Sequence, residues 1–278
     1  MSQNLIEEME VIDDHHEAEG EPFQDILIDR SLYQKIRRQH LEFKPYEGFR
    51  KTFLDKIRRQ KHVYYLEKLC EVKYSGNRIA LPLLIKSDIE SELWRYGRNR
   101  EKLIVHLGAA RIMIKATFRE GLDTPLNLIL LDNRIISRKA ATYGIIEANL
   151  CYQKLIFTVY PKHSVPLKDE HLDKALVLIQ DFKRKDLMKD GSYPYTITYH
   201  VSYAVNSLHD SVNFEDKDFI EIPEVFKSVG KVHPPEYLDK IEIPEEIEIK
   251  SEGTAGQIKE TGSGVWTFNF GSGQSSWD

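Results

Sequence analysis

The sequence predicts a mainly β protein: a single jelly roll or β-sandwich with N-terminal helices, one or two inserted helices and disordered acidic ends. Three observations favour this class. From Glu71 to about Ile222, apolar and polar residues alternate with a period of two, as in half-buried antiparallel strands. Turn-rich breaks, such as 120–125 and 189–194, keep the candidate strands short. Roughly eight short strands of this kind are typical of two packed sheets.

The clearest candidate strand is Tyr195–Val205, where Tyr, Ile and Val alternate with Thr, His, Ser and Ala. Ala110–Phe118 alternates in the same way and places Lys115 on the face opposite its aliphatic residues. This alternation predicts that one face of each strand lies on the core and the other in solvent. The remaining candidate strands are Arg78–Ile85, Leu103–Leu107, Leu126–Leu131, Lys154–Pro161, Ser211–Phe214 and Phe219–Ile222.

Helical patterns concentrate near the N-terminus. Apolar residues recur at helical spacing over 31–61, in a stretch that includes the basic pair Arg37-Arg38. Such a pair fits either a solvated helix face or a binding site. The capping box that begins at Ser87 predicts an inserted helix over Asp88–Tyr96. A second inserted helix is predicted at Glu170–Phe182, although its apolar run also fits a strand.

Charge divides the chain into three regions. Residues 1–29 contain ten Asp or Glu and no Lys or Arg. Residues 30–200 contain 33 Lys or Arg against 19 Asp or Glu, whereas residues 201–278 contain six against 15. A basic body between two acidic ends can hold phosphate while the ends keep the protein soluble. The alternative is that acidic tails merely solubilise an ordinary domain.

These patterns together predict one folded core with an extension and two tails. Segments with high net charge and few apolar residues do not form a core of their own. The predicted parts are a disordered acidic tail at 1–29, a helical extension at 30–70, a jelly-roll core at 71–230 and an extended tail at 231–278.

Motifs for enzymatic chemistry are absent from the sequence. It has no phosphate-binding glycine loop of the Walker or dinucleotide type. Cys70 and Cys151 have no metal-ligand spacing and suit a reducing compartment. His15-His16 could hold a metal weakly but suits a solvated tail better. No signal peptide and no apolar stretch of membrane-spanning length is present. We therefore expect a non-enzymatic protein without metal or cofactor.

One constellation is unusual. The apolar strand 126–131 ends in Asp132, and Arg134 follows two residues later. If Asp132 continues the alternation of the strand, it points inward and needs a partner, such as a backbone N–H of the next turn or an arginine. A turn-initiating aspartate exposed to water fits the sequence equally well.

The sequence around this aspartate, and much of the predicted core, resembles a known family: the caulimovirus movement proteins of the thirty-kilodalton superfamily. The family hallmark is an apolar strand that ends in an aspartate, here Asp132. The resemblance covers about residues 79–230, in matching order and spacing. The segments that carry it are Val105–Pro125, Leu131–Arg134, Phe157–Lys162, Asp181–Met188 and Thr196–Tyr199.

The resemblance implies a jelly roll that binds single-stranded nucleic acid without sequence preference. It also implies action at plasmodesmata, the junctions of the host plant cell, on the cytoplasmic side. Implied partners are further copies of the chain in tubules, a virion or virion-associated protein, and host plasmodesmal or membrane proteins. The chain departs from the caulimovirus pattern in residues 231–278, which show no coiled-coil heptads. A capsid-like structural protein without a transport function is the alternative.

Basic residues of the body are the candidate nucleic-acid contacts, since each phosphate neutralised by Lys or Arg releases counterions. Tyr143, Tyr152 and Tyr160 could stack on bases, although packing in the core is the commoner fate for two of the three. The candidate basic contacts are Lys115, Arg119, Arg134, Arg138, Lys139, Lys154, Lys162, Lys183, Arg184 and Lys185.

The C-terminal tail contains aromatic residues in a Gly- and Ser-rich stretch. In an extended chain, Trp266, Phe268 and Phe270 lie on one side, and Trp277 follows. Such a strip can add to a sheet edge or fill a groove, so these four residues are candidates for partner docking. The alternative is an inert tail.

Overall fold

The computed structural model describes residues 25–39, 43–44, 46, 48–50, 63–72, 79–93, 102–187, 189, 192–207, 212–241, 257–261 and 265–268. Its strands, in chain order, are β1 (Val63–Val72), β2 (Ile79–Pro82), β3 (Ile104–Ala116), β4 (Pro125–Leu131), β5 (Thr142–Asn149), β6 (Lys154–Val159), β7 (His163–Pro166), β8 (Val177–Phe182), β9 (Tyr195–Asn206), β10 (Ile220–Glu221), β11 (Gly230–His233), β12 (Gln257–Thr261) and β13 (Val265–Phe268). The helices are α1 (Arg30–Arg38), α2 (Lys86–Leu93) and α3 (Arg138–Ala141). Short 3-10 turns lie at Leu150–Tyr152, Leu172–Lys174, Lys185–Leu187, Glu224–Phe226 and Pro235–Lys240.

The strands form two antiparallel sheets packed face to face. The larger sheet has the order β10-β6-β3-β9-β1-β12-β13, and β7 also pairs with β3. The smaller sheet has the order β11-β5-β4-β8-β2. Aliphatic and aromatic side chains of both sheets, such as Ile112, Tyr199, Leu128 and Leu178, are fully or almost fully buried between them. The predicted mainly β sandwich, consistent with a jelly roll, is confirmed.

The outer face of the larger sheet is covered more than the alternation predicts. Phe49 forms an isolated bridge with Phe214, and its ring lies against Gly108, where a Cβ atom would come within 2.6 Å of the ring. The ladder between β3 and β9 shifts register beside this glycine. His200, which lies against the ring of Phe43, and Ser202 are buried, although both lie on the face of β9 predicted to meet solvent.

Helix α1 lies on the same outer face of the larger sheet. Its N-terminus is capped by Asp29, whose carboxylate accepts hydrogen bonds from the N–H groups of Ser31 and Leu32. Ile36 is buried, and the last turn is basic. The Lys154 ammonium donates to the carbonyl of Arg37 at 3.4 Å, which joins the end of the helix to β6.

Two helical predictions are wrong in part. The apolar run of the helix predicted at Glu170–Phe182 forms strand β8, because it pairs with β4 on one side and β2 on the other. In the helical extension predicted for residues 30–70, α1 is a helix, but residues 63–70 belong to β1, which pairs with β9. Phe49 lies in a bridge, and residues 51–61 of the predicted helical stretch lie outside the described residues.

Other boundaries also move. The helix predicted from Asp88 begins at Lys86, whose N–H donates to the Asp173 carboxylate. The candidate strands 103–107 and 110–118 merge into the single strand β3, and 211–214 contributes only the bridge of Phe214. Strands β5, β7 and β11 were not predicted from the sequence, because they are short or contain polar residues and glycine that interrupt the alternation.

The C-terminal tail predicted from residue 231 contains ordered elements. Strand β11 pairs with β5, and Leu238 packs on the smaller sheet beside Ala141 and Ile145, so the body extends to about residue 241. Further on, β12 pairs with β1 and β13 pairs with β12, which places this hairpin at the edge of the larger sheet.

Candidate nucleic-acid interface

A basic cleft of about 650 Å³ opens between α1, the end of β3 and the start of β6. Among the described residues that line it, none is acidic. Its four cations and two aromatic residues are Arg37, Arg38, Lys115, Lys154, Tyr33 and Tyr152. We refer to this site as the basic cleft.

Strand register places two lysines side by side in the basic cleft. Lys115 on β3 and Lys154 on β6 are direct partners in the antiparallel ladder. The turn before Lys154 is tight, because Gln153 adopts a left-handed conformation with φ 62° and its carbonyl accepts from the N–H of Ala116. Like charges directly opposite each other in a sheet are destabilising, so this pair is a local cost that a bound anion would remove.

The basic cleft concentrates positive charge around a buried lysine. The Lys154 side chain is buried, with the residue only 7% exposed, whereas Lys115 is exposed. In the described part of the chain, no carboxylate pairs with Lys115, Lys154, Arg37 or Arg38. Burial first, and then the charges of Lys115 and Arg37, lower the pKa of Lys154. Each of these causes disfavours the ammonium form, and a phosphate beside it would favour that form.

The two tyrosines are held in place by hydrogen bonds and remain half-buried. The Tyr33 hydroxyl donates to Oε1 of Gln153 at 3.2 Å, and the Tyr152 hydroxyl accepts from the N–H of Asp29 at 3.2 Å. These bonds tie the start of α1 to the turn between β5 and β6. Aromatic rings beside a row of cations are typical of surfaces that bind single strands.

The second candidate site is the loop after β4. Asp132 is 5% exposed, and its carboxylate accepts from the N–H of Arg134 at 3.1 Å and from Nε and Nη2 of Arg134 at 2.8 and 2.6 Å. Arg134 also donates to Asp169 at 3.0 Å through Nη1. Of the two interpretations left open by the sequence, the structure therefore has the buried, paired carboxylate.

The other basic candidates near Asp132 are engaged by neighbouring side chains. Arg134 is bound to two carboxylates, Arg138 donates to Oδ1 of Asn133 at 3.0 Å, and Lys139 forms an ion pair of 2.9 Å with Asp239. These residues stabilise the loop and do not join the basic cleft.

The remaining basic candidates are dispersed. Arg119 pairs with Asp25 at 2.8 Å, and Lys162 donates to the carbonyl of Lys217. Lys183 pairs with Asp181 and Arg184 with Asp186. The side chain of Lys185 lies outside the described residues, as do Phe270, Trp277 and the side chains of Trp266 and Phe268.

Of the three candidate stacking tyrosines, only Tyr152 lines the basic cleft. Tyr160 is fully buried and donates to Glu221 at 3.0 Å. Tyr143 packs against the core, with its hydroxyl 3.0 Å from Nδ1 of His163. Arg37 and Arg38 stood out in the sequence as a basic pair on a helix but were not among the predicted nucleic-acid contacts. Their place at the basic end of an amphipathic helix was the available signal.

Two features are absent from the described residues. No helix there has the length and apolar character needed to cross a membrane. No group of three or more His, Cys, Asp or Glu side chains in this part of the chain is placed to hold a metal ion. The His15-His16 pair lies outside it.

A family model described as viral movement protein (MP) matches residues 37–219. The chain belongs to this family. The predicted resemblance to caulimovirus movement proteins is confirmed by curated relatives. The movement protein of Carnation etched ring virus is 34% identical over 218 residues, covering 76% of this chain and 68% of the relative. That of Figwort mosaic virus (strain DxS) is 33% identical over 252 residues, covering 86% and 77%.

A third movement protein, from Cauliflower mosaic virus (strain W260), is 41% identical over 169 residues, which cover 60% of this chain and 52% of the relative. No solved structure matches the chain. Viral movement proteins have a non-enzymatic function, in agreement with the sequence analysis. The family match includes Arg37 and Arg38 as well as Lys115, Asp132 and Lys154.

Proposed function

We propose that this movement protein binds single-stranded nucleic acid without sequence preference, with the phosphate backbone in the basic cleft. The observation that carries the proposal is the direct pairing of Lys115 with Lys154 beside Arg37 and Arg38, with no carboxylate among the described lining residues. A phosphate between the two lysines would turn their mutual repulsion into two attractions.

The chemistry of the basic cleft favours binding that ignores sequence. Lys and Arg contacts to phosphate position a nucleic acid but read no bases. Tyr33 and Tyr152 offer ring faces on which any base can stack, since every base has a π-face. For four phosphate contacts on a single strand, affinity would fall ~50-fold over a fourfold rise in salt concentration.

A single charge reversal tests the site. Lys115→Glu should weaken the binding of a fluorescent oligothymidine by about fivefold or more and reduce the salt slope by about 0.7, because one phosphate contact is lost. The control is Lys35→Glu, since Lys35 is an exposed lysine on α1 that does not line the cleft. Fluorescence anisotropy at several salt concentrations measures both quantities.

The same measurements can contradict the proposed binding site. Equal losses for Lys115→Glu and Lys35→Glu would mean that only overall charge matters and that the cleft is not the site. An affinity of the unmodified protein that does not change with salt would contradict phosphate binding altogether.

The proposal extends to the place and form of transport. We infer that the protein acts at plasmodesmata of the host plant cell and assembles with its own copies into tubules. Virions or virion-associated proteins, and host plasmodesmal or membrane proteins, are the further partners. Membership of the movement protein family, with relatives from caulimoviruses, supports this inference and favours transport over the capsid-like alternative.

A fluorescent fusion expressed in plant leaf cells tests the location. We expect puncta at the cell wall and, by electron microscopy, open tubules that extend from them. Diffuse fluorescence would contradict action at plasmodesmata, and closed shells would support the capsid-like alternative.

A further inference from the structure

The N-terminal segment enters the fold beside the basic cleft. Asp25 forms a bridge with Leu122 and an ion pair of 2.8 Å with Arg119. Four residues later, the N–H of Asp29 donates to the hydroxyl of Tyr152, a residue that lines the cleft. The residues before Asp25 are therefore tethered next to this site.

The tethered segment has the charge that the basic cleft lacks. Residues 1–24 contain eight Asp or Glu and no Lys or Arg. A chain of 24 residues can span up to ~80 Å, so reach does not prevent it from folding back to a site so close to its attachment point. A covalent attachment of this length would hold its charged groups at an effective concentration on the order of millimolar.

We propose that residues 1–24 of the same chain dock in the basic cleft, with their carboxylates beside Lys115 and Lys154, and compete there with nucleic acid. The competition rests on the function proposed above, whereas the contact between tail and cleft does not. Carboxylates and phosphates are alternative partners for the same cations, so one excludes the other.

Position distinguishes this contact from general repulsion by acidic tails. The second acidic run, 242–252, follows residue 241, which packs on the smaller sheet near Ala141 and Ile145. The basic cleft lies instead on the outer face of the larger sheet, under α1. Neutralising the same number of carboxylates in each run therefore separates a local contact from the effect of net charge.

The first experiment detects the contact without nucleic acid. Treatment of the full-length protein with a zero-length carbodiimide should join carboxylates of the N-terminal tail to the amine of Lys115, as identified by mass spectrometry. Lys115→Arg, which keeps the charge but removes the amine, should abolish that cross-link. Absence of a cross-link to Lys115 or Lys154, or cross-links that join only different chains, would overturn the proposal.

The second experiment measures the competition in the full-length protein. One variant replaces five carboxylates of the N-terminal tail by amides, and a matched variant replaces five in the C-terminal acidic run. The N-terminal set is Glu7→Gln, Glu8→Gln, Glu10→Gln, Asp13→Asn and Asp14→Asn, and the C-terminal set is Glu242→Gln, Glu245→Gln, Glu246→Gln, Glu248→Gln and Glu252→Gln.

We expect the N-terminal set to raise affinity for oligothymidine about tenfold at low salt, since a millimolar competitor is weakened, and the C-terminal set to change it less than twofold. Equal increases for both sets would overturn the docking proposal. If neither variant nor the unmodified protein binds oligothymidine but the cross-link forms, the proposed function fails while the contact between tail and cleft stands.

Discussion

Asp132 and Arg134 form a bidentate ion pair across the turn after β4. Nε and Nη2 of the arginine donate to the two carboxylate oxygens at 2.8 and 2.6 Å. The N–H of Arg134 donates to the same carboxylate, and the N–H of Ile135 donates to the carbonyl of Asp132. The loop 133–137 is thereby fixed between β4 and α3. Removing the Asp132 charge leaves Arg134 with only Asp169, its more exposed partner, and breaking a buried pair costs more than never having had the pair.

We therefore expect Asp132→Asn to lower the free energy of unfolding by about 2 kcal/mol or more and to abolish cell-to-cell movement. The amide keeps an acceptor for the turn but cannot pair with the guanidinium of Arg134. Chemical denaturation and a leaf movement assay measure the two effects. The control is Asp169→Asn, which removes the more exposed partner of Arg134 and should cost less. Movement and stability unchanged in Asp132→Asn would refute a structural requirement.

A second prediction concerns the cost of the lysine pair in the basic cleft. Lys154→Met should raise the free energy of unfolding by about 1 kcal/mol, because it removes a buried charge that faces Lys115 in the ladder. The same change should weaken oligothymidine binding several-fold. Thermal denaturation and fluorescence anisotropy on one preparation give both values. Lys154→Arg should keep the affinity, and a Met variant that loses stability would show that the ammonium is a structural group.

A third prediction follows from His200, which is buried on the outer face of β9 beside the ring of Phe43. Burial first, and then the charge of Arg111, lower its pKa from 6.5 to about 4. The Glu67 carboxylate also faces the imidazole, with its Oε1 3.6 Å from Nε2. Between these two pKa values the unfolded chain binds the proton and the folded chain does not, so stability falls as the pH decreases through this window.

By pH 4 this histidine should account for a loss of ~3 kcal/mol in the free energy of unfolding. His200→Gln should flatten the pH dependence of stability between 6.5 and 4, measured by denaturation at each pH relative to the unmodified protein. His171→Gln, at an exposed site, should leave the unmodified slope in place. If all three proteins show the same dependence of unfolding free energy on pH, groups other than His200 determine the loss of stability at low pH.

A fourth prediction concerns the C-terminal segment. Deletion of residues 251–278 should spare folding, nucleic-acid binding and tubule growth, because the basic cleft, the smaller sheet and all of the larger sheet except β12 and β13 are built from earlier residues. It removes β12 and β13, which leaves β1 as the sheet edge and takes away the aromatic residues from Trp266 onward. Co-precipitation with purified virions should then fail. Equal recovery of virions by the intact and shortened proteins would show that this segment is not the docking element.

Local patterns were sufficient for the class of fold and for its clearest strands. The alternation in Tyr195–Val205 and Ala110–Phe118 reflects a side-chain period that holds wherever one face of a strand meets the core. The apolar run at 177–182 was ambiguous, because a short buried segment has no period that separates strand from helix. Pairing with β4 and β2 made it a strand, and only the fold contains those partners.

The sequence by itself determined the two-sheet β class, the basic body between acidic ends and the aspartate that closes β4, since these depend on composition and on neighbours in the chain. Among the described residues, the tertiary structure decided which charges remain without an ionic partner. It neutralised Arg134 and Lys139 with the carboxylates of Asp132, Asp169 and Asp239. It also brought Arg37 and Arg38 against Lys115 and Lys154, across long separations in sequence. The physical reason is that ion pairing depends on distances of a few ångströms, which strand register and helix docking set and which a list of charges does not contain.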